Sequence, residues 1–416
     1  MKIEITPHKI QGKIYAPASK SMMLRAIAAA VLSKNTTAIT NYTLCNDTET
    51  AINIAKLLGA KIEITNTKML ITSNNINKIS GFNCGESALC VHLFTPLVAL
   101  FSDEFTVFGE NTLVKRAIDN LLYALNLLGL NSNSEKYLPV TISGNLQSGK
   151  IEIDGSAGSQ TLSGLLMALP LCNGNSVIEV KNIKSKPYID LTISVLEQFG
   201  VKIKNENYSR FFIEGNQKYQ AATINIEGDW SGISCFLVAA AINGEIIFKN
   251  LNPQSLQADV VMLDVLRLCG ANVNIENNNI IVKKDKLNAF DFDANDCPDL
   301  FPAIVALAAN CCGTSKIKGV NRLKNKESNR AKTLQSEYAK LNIKIDLQND
   351  EMYIVGGQIM SATVNSCNDH RIAMSLAVAA INGNGRTTIE NAECVSKSYP
   401  DFWSDLREIY LVANKN

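Results

Sequence analysis

The sequence predicts an α/β fold of two domains, built from six copies of one strand-and-helix unit. Helices that are apolar on every face alternate along the chain with amphipathic helices. A short helix-stop signature recurs about every seventy residues, and most stops are followed by two alternating strands with an Asn-rich turn between them. Recurrence at a period of this length indicates a repeated supersecondary unit.

The first kind of helix is rich in alanine, as in LRAIAAAVL (24–32) and IAMSLAVAAI (372–381). A helix that is apolar on every face is usually buried on every face. These segments are therefore predicted to form the domain cores. They begin after Ala18, Gly85, Gly155, Asp229, Pro298 and Asn368.

The second kind of helix is amphipathic and ends at a stop residue before a strand pair, as in LLGAKIEI (57–64). Glycine or asparagine at the stop suits the left-handed conformation that commonly ends a helix. Coincidental spacing in an ordinary α/β protein would not place five stops so evenly. The stops are Gly59, Gly129, Gly200, Gly270 and Asn342, spaced by 70, 71, 70 and 72 residues.

A sixth unit begins at Asn368 and ends with the helix DFWSDLREIYL (401–411), without a hairpin of its own. The N-terminal segments KIEI (2–5) and KIYA (13–16) alternate like strands and can supply the missing hairpin. The six units then divide naturally into three plus three.

Composition limits the classes of function. At 416 residues the chain is too long for one compact core, and 40 Lys plus Arg nearly balance 39 Asp plus Glu. The net charge of +1 argues against bulk binding to nucleic acid or membrane. The eleven cysteines and three histidines lack zinc-ligand spacing, so no metal is predicted. With no disulfide framework, signal segment or membrane-length apolar window, a cytoplasmic protein is expected.

Cations at helix starts are the main functional signal. The stretch GVNRLKNKESNR (319–330) packs four cations around one carboxylate, Glu327, where a helix begins. Cations near a helix N-terminus interact unfavourably with the helix dipole, and a bound anionic ligand would offset that cost. A solvated, charged helix start explains this one stretch equally well, and N-capping explains any single serine. Seven cations nevertheless recur in equivalent places: Lys20, Arg25, Arg116, Lys326, Arg330, Arg371 and Lys397.

These motifs resemble the 5-enolpyruvylshikimate-3-phosphate synthase family of enolpyruvyl transferases, from ASKSMMLR (18–25) to KSYPDF (397–402), and so over nearly the whole chain. The resemblance implies transfer of the enolpyruvyl group of phosphoenolpyruvate to the 5-hydroxyl of shikimate-3-phosphate, with release of phosphate. It also implies an inside-out α/β barrel of two domains with three βαβαββ units each. One domain, 18–227, would carry most shikimate-3-phosphate contacts; the other, 1–17 plus 228–416, would carry the acid/base residues and most phosphoenolpyruvate contacts.

The resemblance also implies roles for individual residues. Asp299 is the expected base for the hydroxyl, and Glu327, with Lys20, is the expected proton donor to C3 of phosphoenolpyruvate. Neither a metal nor an organic cofactor is implied, and a monomer is expected. Shikimate-3-phosphate contacts are expected at Lys20, Ser21, Arg25, Ser159, Gln160, Ser185, Tyr188, Asp299 and Lys326. Phosphoenolpyruvate contacts are expected at Lys20, Ala88, Arg116, Gln160, Arg330, Arg371 and Lys397.

Several positions depart from the family pattern. Ala88 stands where a glycine usually lines the phosphoenolpyruvate pocket. Its methyl group should crowd glyphosate, which is longer than phosphoenolpyruvate, so a glyphosate-tolerant enzyme is expected. The other departures are His92 for an arginine, Ala117 for a proline, Gly158 for a serine and Asn329 for an aspartate. All of these departures are expected to change substrate affinity more than the reaction itself.

Two other functions fit parts of the pattern. The transferase that acts on UDP-N-acetylglucosamine shares the fold, but it usually carries a reactive cysteine in a loop aligned near Arg116, and ENTLVKR (110–116) contains none. A non-catalytic anion-binding repeat protein would need only the cations. Because carboxylates weaken anion binding unless they move protons, Asp299 and Glu327 argue against it. Replacing Glu327 with glutamine separates the two, since only an enzyme would lose turnover.

Overall fold

The protein is described by a computed structural model that covers residues 1–277 and 279–413, with side chains described as far as residue 410. The chain divides into two compact units. The continuous unit is Ala18–Ile226, and the split unit joins Met1–Pro17 to the residues from Glu227 onward. The predicted boundary lay one residue further along. The split unit opens with strands β1 (Lys2–Ile5) and β2 (Ile10–Tyr15).

The continuous unit repeats one pattern of helices and strands. Its helices are α1 (Lys20–Leu32), α2 (Asn46–Leu57), α3 (Ala88–Val98), α4 (Asp119–Leu127), α5 (Gln160–Ala168) and α6 (Lys186–Gln198). Its strands are β3 (Asn35–Thr40), β4 (Lys61–Ile64), β5 (Lys68–Ser73), β6 (Gly81–Asn83), β7 (Glu104–Phe108), β8 (Leu130–Ser132), β9 (Val140–Gly144), β10 (Lys150–Asp154), β11 (Ser176–Lys181), β12 (Ile203–Glu206), β13 (Arg210–Ile213) and β14 (Thr223–Asn225).

Each sheet of the continuous unit has a parallel pair, an antiparallel neighbour and a hairpin strand at the edge. The sheet orders are β14-β3-β5-β4, β6-β7-β9-β8 and β10-β11-β13-β12. The helices α1, α3 and α5 are buried along nearly their whole length, as their apolar sequences predict. Helices α3 and α5 pack so closely that a Cβ atom at Gly164 would lie 1.9 Å from the carbonyl oxygen of His92.

The split unit follows the same plan. Its helices are α7 (Trp230–Asn243), α8 (Met262–Leu268), α9 (Phe301–Ala309), α10 (Arg330–Lys340), α11 (His370–Ala380) and α12 (Phe402–Ala413). Its remaining strands are β15 (Gly244–Lys249), β16 (Asn272–Glu276), β17 (Asn279–Lys283), β18 (Asp291–Asp293), β19 (Thr314–Lys318), β20 (Lys344–Gln348), β21 (Glu351–Val355), β22 (Thr363–Asn365) and β23 (Thr387–Glu390). Helices α7, α9 and α11 are the buried ones.

The two N-terminal strands join different sheets. Strand β1 runs antiparallel to β23 in the last sheet, with Lys2 opposite Glu390. Strand β2 instead runs parallel to β15, with Ile10 opposite Gly244. The prediction that both segments supply the last hairpin is therefore right for β1 and wrong for β2. The physical reason is that β2 provides the parallel neighbour that β15 needs, and this places Ile10 and Ile14 in the core.

All five predicted helix stops have the left-handed backbone expected of them. The φ angles are 96° at Gly59, 90° at Gly129, 78° at Gly200, 93° at Gly270 and 65° at Asn342. Glycine adopts this conformation without a steric cost, and asparagine with a small one. Within residues 1–277 and 279–413, no helix combines the length and apolar character needed to cross a membrane.

Candidate active site

Arg25 organises one polar cluster in the continuous unit. Its side chain is 1% exposed, and Nε donates to Thr192 Oγ1 at 2.8 Å. Its Nη1 donates to the carbonyl of Ser21 at 2.8 Å, and Nη2 donates to Ser163 Oγ at 3.3 Å and the carbonyl of Tyr188 at 3.4 Å. Burial lowers the pKa of Arg25 to about 10. Because buried charges are ordinarily paired, a guanidinium bonded to neutral oxygens favours binding of an anion.

Lys20 is the first residue of α1 and faces a carboxylate from α2. Its Nζ lies 2.9 Å from Asp47 Oδ2, with side chains 16% and 6% exposed. Ser19 caps the helix by accepting from the backbone nitrogen of Met22 at 3.4 Å. Asp47 was not predicted as a site residue, because an aspartate in the first turn of a helix is ordinary. Its ion pair with Lys20 makes it part of the candidate site.

The starts of α5 and α6 hold three more predicted residues. Ser159 is buried just before α5, and Gln160 is the first residue of that helix. Ser185 is buried just before α6 and has a left-handed backbone, with φ 59°. Such strain in a non-glycine residue is often found at functional sites. Gly158 has φ 132°, a conformation that a serine would adopt only with strain.

Ala88 and Arg116 lie near two further helix starts. Ala88 is the first residue of α3 and is 8% exposed, whereas Arg116 follows the short 3-10 turn Leu113–Lys115. His92, one turn along α3, lies with Nδ1 3.2 Å from Thr161 Oγ1 on α5. Burial, and secondly the charge of Arg116, lower the pKa of His92 to about 3. A neutral imidazole therefore stands where the family usually has a cation.

Arg330 organises a second polar cluster, in the split unit. Its side chain is 1% exposed and donates to three carboxylates. Nη1 reaches Asp299 Oδ1 at 2.8 Å, Nη2 reaches Glu327 Oε2 at 2.6 Å, and Nε reaches Asp369 Oδ2 at 2.8 Å. Burial opposes its charge, but the three carboxylates outweigh burial and raise the pKa of Arg330. The Arg330 cluster comprises Asp299, Lys326, Glu327, Arg330, Asp369, Arg371 and Lys397.

Asp299 is the most accessible carboxylate of the Arg330 cluster, with its side chain 26% exposed. Besides Arg330, it faces Lys326 Nζ at 3.1 Å and Arg371 Nη2 at 3.5 Å. Burial alone would raise the pKa of Asp299, but Lys326, Arg371 and Arg330 together hold it well below its usual range. Asp299 is therefore ionised at neutral pH.

Glu327 is held from two sides. Arg330 contacts its Oε2, and Lys397 Nζ lies 3.3 Å from its Oε1. The six residues predicted for this part of the site thus lie together, and the structure adds Asp369, which is fully buried. Asp369 was not predicted as a site residue, because an aspartate that caps a helix is ordinary. It caps α11 by accepting from the backbone nitrogen of Arg371 at 3.1 Å. Asn329 keeps the capping role at α10, accepting from the backbone nitrogen of Lys332 at 3.4 Å.

The described part of the chain contains no group of three or more His, Cys, Asp or Glu side chains able to hold a metal ion. The groups that the two clusters present are cations, carboxylates and hydroxyl groups. Cations with this geometry suit phosphate and carboxylate ligands.

The repeated sheets, buried helices and helix-start cations define an enolpyruvyl transferase fold. Among solved structures, EPSP synthase from Acinetobacter baumannii matches with a TM-score of 0.83 at 24% identity, covering 99% of this chain and 98% of that one. The enolpyruvyl transferase NikO from Streptomyces tendae matches with a TM-score of 0.80 at 15% identity, covering 98% and 96%. At these identities the likeness shows the fold alone, which is the predicted inside-out α/β arrangement.

Sequence comparison gives the family. Residues 5–406 match the family model described as EPSP synthase (3-phosphoshikimate 1-carboxyvinyltransferase). The 3-phosphoshikimate 1-carboxyvinyltransferase of Clostridium kluyveri is 37% identical over 414 residues, 98% of this chain and 97% of that protein. That of Clostridium acetobutylicum is 36% identical over 417 residues, with the same shares covered. The chain belongs to the EPSP synthase family, so the predicted family is confirmed, and with it the predicted reaction of the shikimate pathway.

Proposed function

We propose that the protein transfers the enolpyruvyl group of phosphoenolpyruvate to the 5-hydroxyl of shikimate-3-phosphate through a tetrahedral ketal, using the residues of the two clusters. The observation that carries this assignment is the Arg330 cluster, in which four cations surround Asp299 and Glu327. Both substrates are anions, so cations are needed to bind them. Carboxylates would oppose that binding, and their presence is explained by proton transfer.

We assign Asp299 as the base that takes the proton of the 5-hydroxyl. It is ionised at neutral pH and is the most accessible carboxylate of the cluster. Its three cations make it a weak base while no substrate is bound. When phosphoenolpyruvate competes for Arg330 and Arg371, its charge offsets theirs, and the pKa of Asp299 rises toward a value useful for accepting a proton.

We assign Glu327, in its protonated form, as the group that gives a proton to C3 of phosphoenolpyruvate. It takes a proton back from C3 as phosphate leaves, and Asp299 passes the hydroxyl proton to the departing phosphate. The contacts of Glu327 with Arg330 and Lys397 fix both carboxylate oxygens. Lys20 is proposed as a second group in these proton transfers. The ion pair with Asp47 at 2.9 Å limits where its ammonium group can lie.

The two units are proposed to divide substrate binding between them, with domains 18–227 and 1–17 plus 228–416. In the first, Lys20, Ser21, Arg25, Ser159, Gln160, Ser185 and Tyr188 would bind shikimate-3-phosphate. Arg25 supports this, because its buried guanidinium is bonded to neutral oxygens and suits an anionic group. In the second, Asp299 and Lys326 are proposed as further contacts to shikimate-3-phosphate. Phosphoenolpyruvate would contact Lys20, Ala88, Arg116, Gln160, Arg330, Arg371 and Lys397.

We further propose that the enzyme is a cytoplasmic monomer. All eleven cysteines are free thiols, and most of them are buried, which suits a reducing compartment. Light scattering on the purified protein should then give a mass near 45.3 kDa.

Phosphate release by the purified protein tests the assigned reaction. Release should require phosphoenolpyruvate and shikimate-3-phosphate together, and UDP-N-acetylglucosamine should not replace the latter. Glu327→Gln should lower kcat by roughly a hundredfold or more while shikimate-3-phosphate still binds. Glu245→Gln is the matched control, because this half-buried glutamate pairs with Lys283 at 2.9 Å in the same unit, away from the proposed site. Release without an acceptor, or full turnover by Glu327→Gln, would overturn the assignment.

A further inference from the structure

The start of α6 has a backbone that its own sequence does not favour. Ser185 adopts φ 59°, a left-handed conformation that is strained for a residue other than glycine. A strained residue keeps its conformation only where the surrounding structure holds it. Ser185 and Tyr188 are both assigned above to substrate binding, so whatever holds this turn also sets the geometry of that site.

Tyr208, at the tip of the hairpin between β12 and β13, is unusual for its position. Asn207 and Tyr208 have φ 51° and 58°, and the backbone nitrogen of Ser209 donates to the carbonyl of Glu206 at 3.1 Å. Hairpin tips with two such residues favour asparagine followed by glycine. A tyrosine at this position makes the folded backbone less stable than a glycine would. We therefore expect its side chain to make contacts that offset this cost.

The side chain of Tyr208 reaches back to the first two turns of α6. Its hydroxyl oxygen lies 2.9 and 2.8 Å from the two carboxylate oxygens of Asp190, to which it donates its proton. Lys186 Nζ lies 5.4 Å from the centre of its ring, within the range of a cation–π contact. Lys186 and Asp190 are four residues apart on one face of the helix, so Tyr208 engages both at once.

The same helix start is also held by Arg25. The carbonyl of Tyr188 accepts from Thr192 Oγ1 at 2.7 Å and from Arg25 Nη2 at 3.4 Å. Arg25 in turn donates to Thr192 at 2.8 Å. The first turn of α6 is thus held by Arg25 through the backbone of Tyr188, and by Tyr208 through the side chain of Asp190.

We propose that Tyr208 is a positioning residue: by holding Asp190 and Lys186 it sets the orientation of Ser185 and Tyr188 for shikimate-3-phosphate. This inference rests on the proposed function. The hairpin between β12 and β13 would thus contribute to the binding of shikimate-3-phosphate and not to the binding of phosphoenolpyruvate.

Steady-state kinetics of Tyr208→Phe and Asp190→Ala test the proposal. Each should raise KM for shikimate-3-phosphate by about fivefold or more, because a hydrogen bond to a carboxylate is lost, while kcat and KM for phosphoenolpyruvate change less than about twofold. The double variant should be no worse than about the poorer single one, since both remove the same contact. Tyr123→Phe is the matched control, because this tyrosine on α4 is 58% exposed.

Tyr208→Gly separates positioning from a role in the turn alone. Glycine relaxes the left-handed backbone, so a turn-only role predicts an unchanged KM and an equal or higher melting temperature. Positioning predicts a raised KM for shikimate-3-phosphate whatever the melting temperature. Unchanged KM in an active enzyme overturns the Tyr208 proposal alone. A wild-type protein that neither binds shikimate-3-phosphate nor releases phosphate overturns the proposed function as well.

Discussion

Arg330 and Asp369 form an ion pair that is removed from solvent. Nε of Arg330 donates to Oδ2 of Asp369 at 2.8 Å, and the two side chains are 1% and 0% exposed. A second bond, from Nη2 to Oδ1, measures 3.3 Å. The pair joins the first residue of α10 to the cap of α11. Because both charges are desolvated, removing one leaves the other buried without its main partner.

Asp369→Asn should therefore destabilise the protein. We expect the free energy of unfolding to fall by about 3–5 kcal/mol, since a charge is removed from a buried pair and the cap of α11 is weakened. The same change should raise KM for phosphoenolpyruvate, because Arg330 loses one of the groups that orient it. Urea denaturation followed by circular dichroism measures the first effect, and phosphate release measures the second.

Glu245→Gln is the control for this measurement as well. It breaks the surface pair with Lys283, in which both side chains are 42% exposed, and should change stability by less than about 1 kcal/mol. If Asp369→Asn lowered the free energy of unfolding no more than Glu245→Gln does, the Arg330–Asp369 pair would contribute little to stability and the prediction would be wrong.

Ala88→Gly should increase sensitivity to glyphosate. Ala88 is the first residue of α3 and is 8% exposed. If it contacts phosphoenolpyruvate as proposed, its methyl group would crowd a longer ligand. Overpacking by one methyl group costs roughly 1–3 kcal/mol, and about 1.4 kcal/mol is a tenfold change in affinity. We expect the inhibition constant to fall about tenfold, with a smaller change in KM for phosphoenolpyruvate. Glyphosate titration at fixed phosphoenolpyruvate measures both.

Ala124→Gly on α4 provides the comparison, because Ala124 is buried outside the proposed site. It separates a pocket effect from the general cost of glycine in a helix. If glyphosate inhibited the wild type and Ala88→Gly equally, Ala88 would not be the cause of any glyphosate tolerance.

His92 should make the protein less stable as the pH falls. The folded protein keeps its imidazole neutral, with a pKa of about 3, whereas the unfolded chain takes up a proton below about pH 6.5. The unfolded state thus binds more protons as the pH drops through that range, and stability is lost. Between pH 7.5 and 5.5 the loss from this residue is about 1.4 kcal/mol.

His92→Gln should remove that part of the pH dependence. The free energy of unfolding of each protein, measured at pH 7.5, 6.5 and 5.5, gives two slopes to compare. Glutamine can still accept from Thr161, so the contact between α3 and α5 is largely kept. Identical slopes would mean that His92 takes up a proton as readily in the folded protein as in the unfolded chain.

Local features of the fold were predictable, whereas strand partners were not. Gly59 and Asn342 mark helix ends because the left-handed conformation is a property of one residue and its neighbours. Alternation in residues 13–16 likewise predicts a strand, which the structure extends back to Ile10. It does not say which sheet the strand joins, because pairing with β15 depends on residues more than two hundred positions away.

The site shows the same division between local and distant information. Cations at helix starts stood out because they oppose the helix dipole, so Arg330 and Arg371 could be identified. Asp47 and Asp369 could not, because an acidic residue at a helix start is explained by the helix dipole or by capping alone. Tyr208 was hidden for another reason: its partners Lys186 and Asp190 lie in a different element, and only folding brings them together.

The placement of the first two strands has a consequence for the order in which the chain takes shape on the ribosome. The sheets of the continuous unit use residues 35–225 and can close as soon as that stretch has emerged. Strand β1 must wait for residues 387–390. At 5–20 residues per second that wait is roughly 20–75 s. Strand β1, which is translated before the other described strands, is therefore among the last of them to find its neighbour, because residues 387–390 must be made before it can pair.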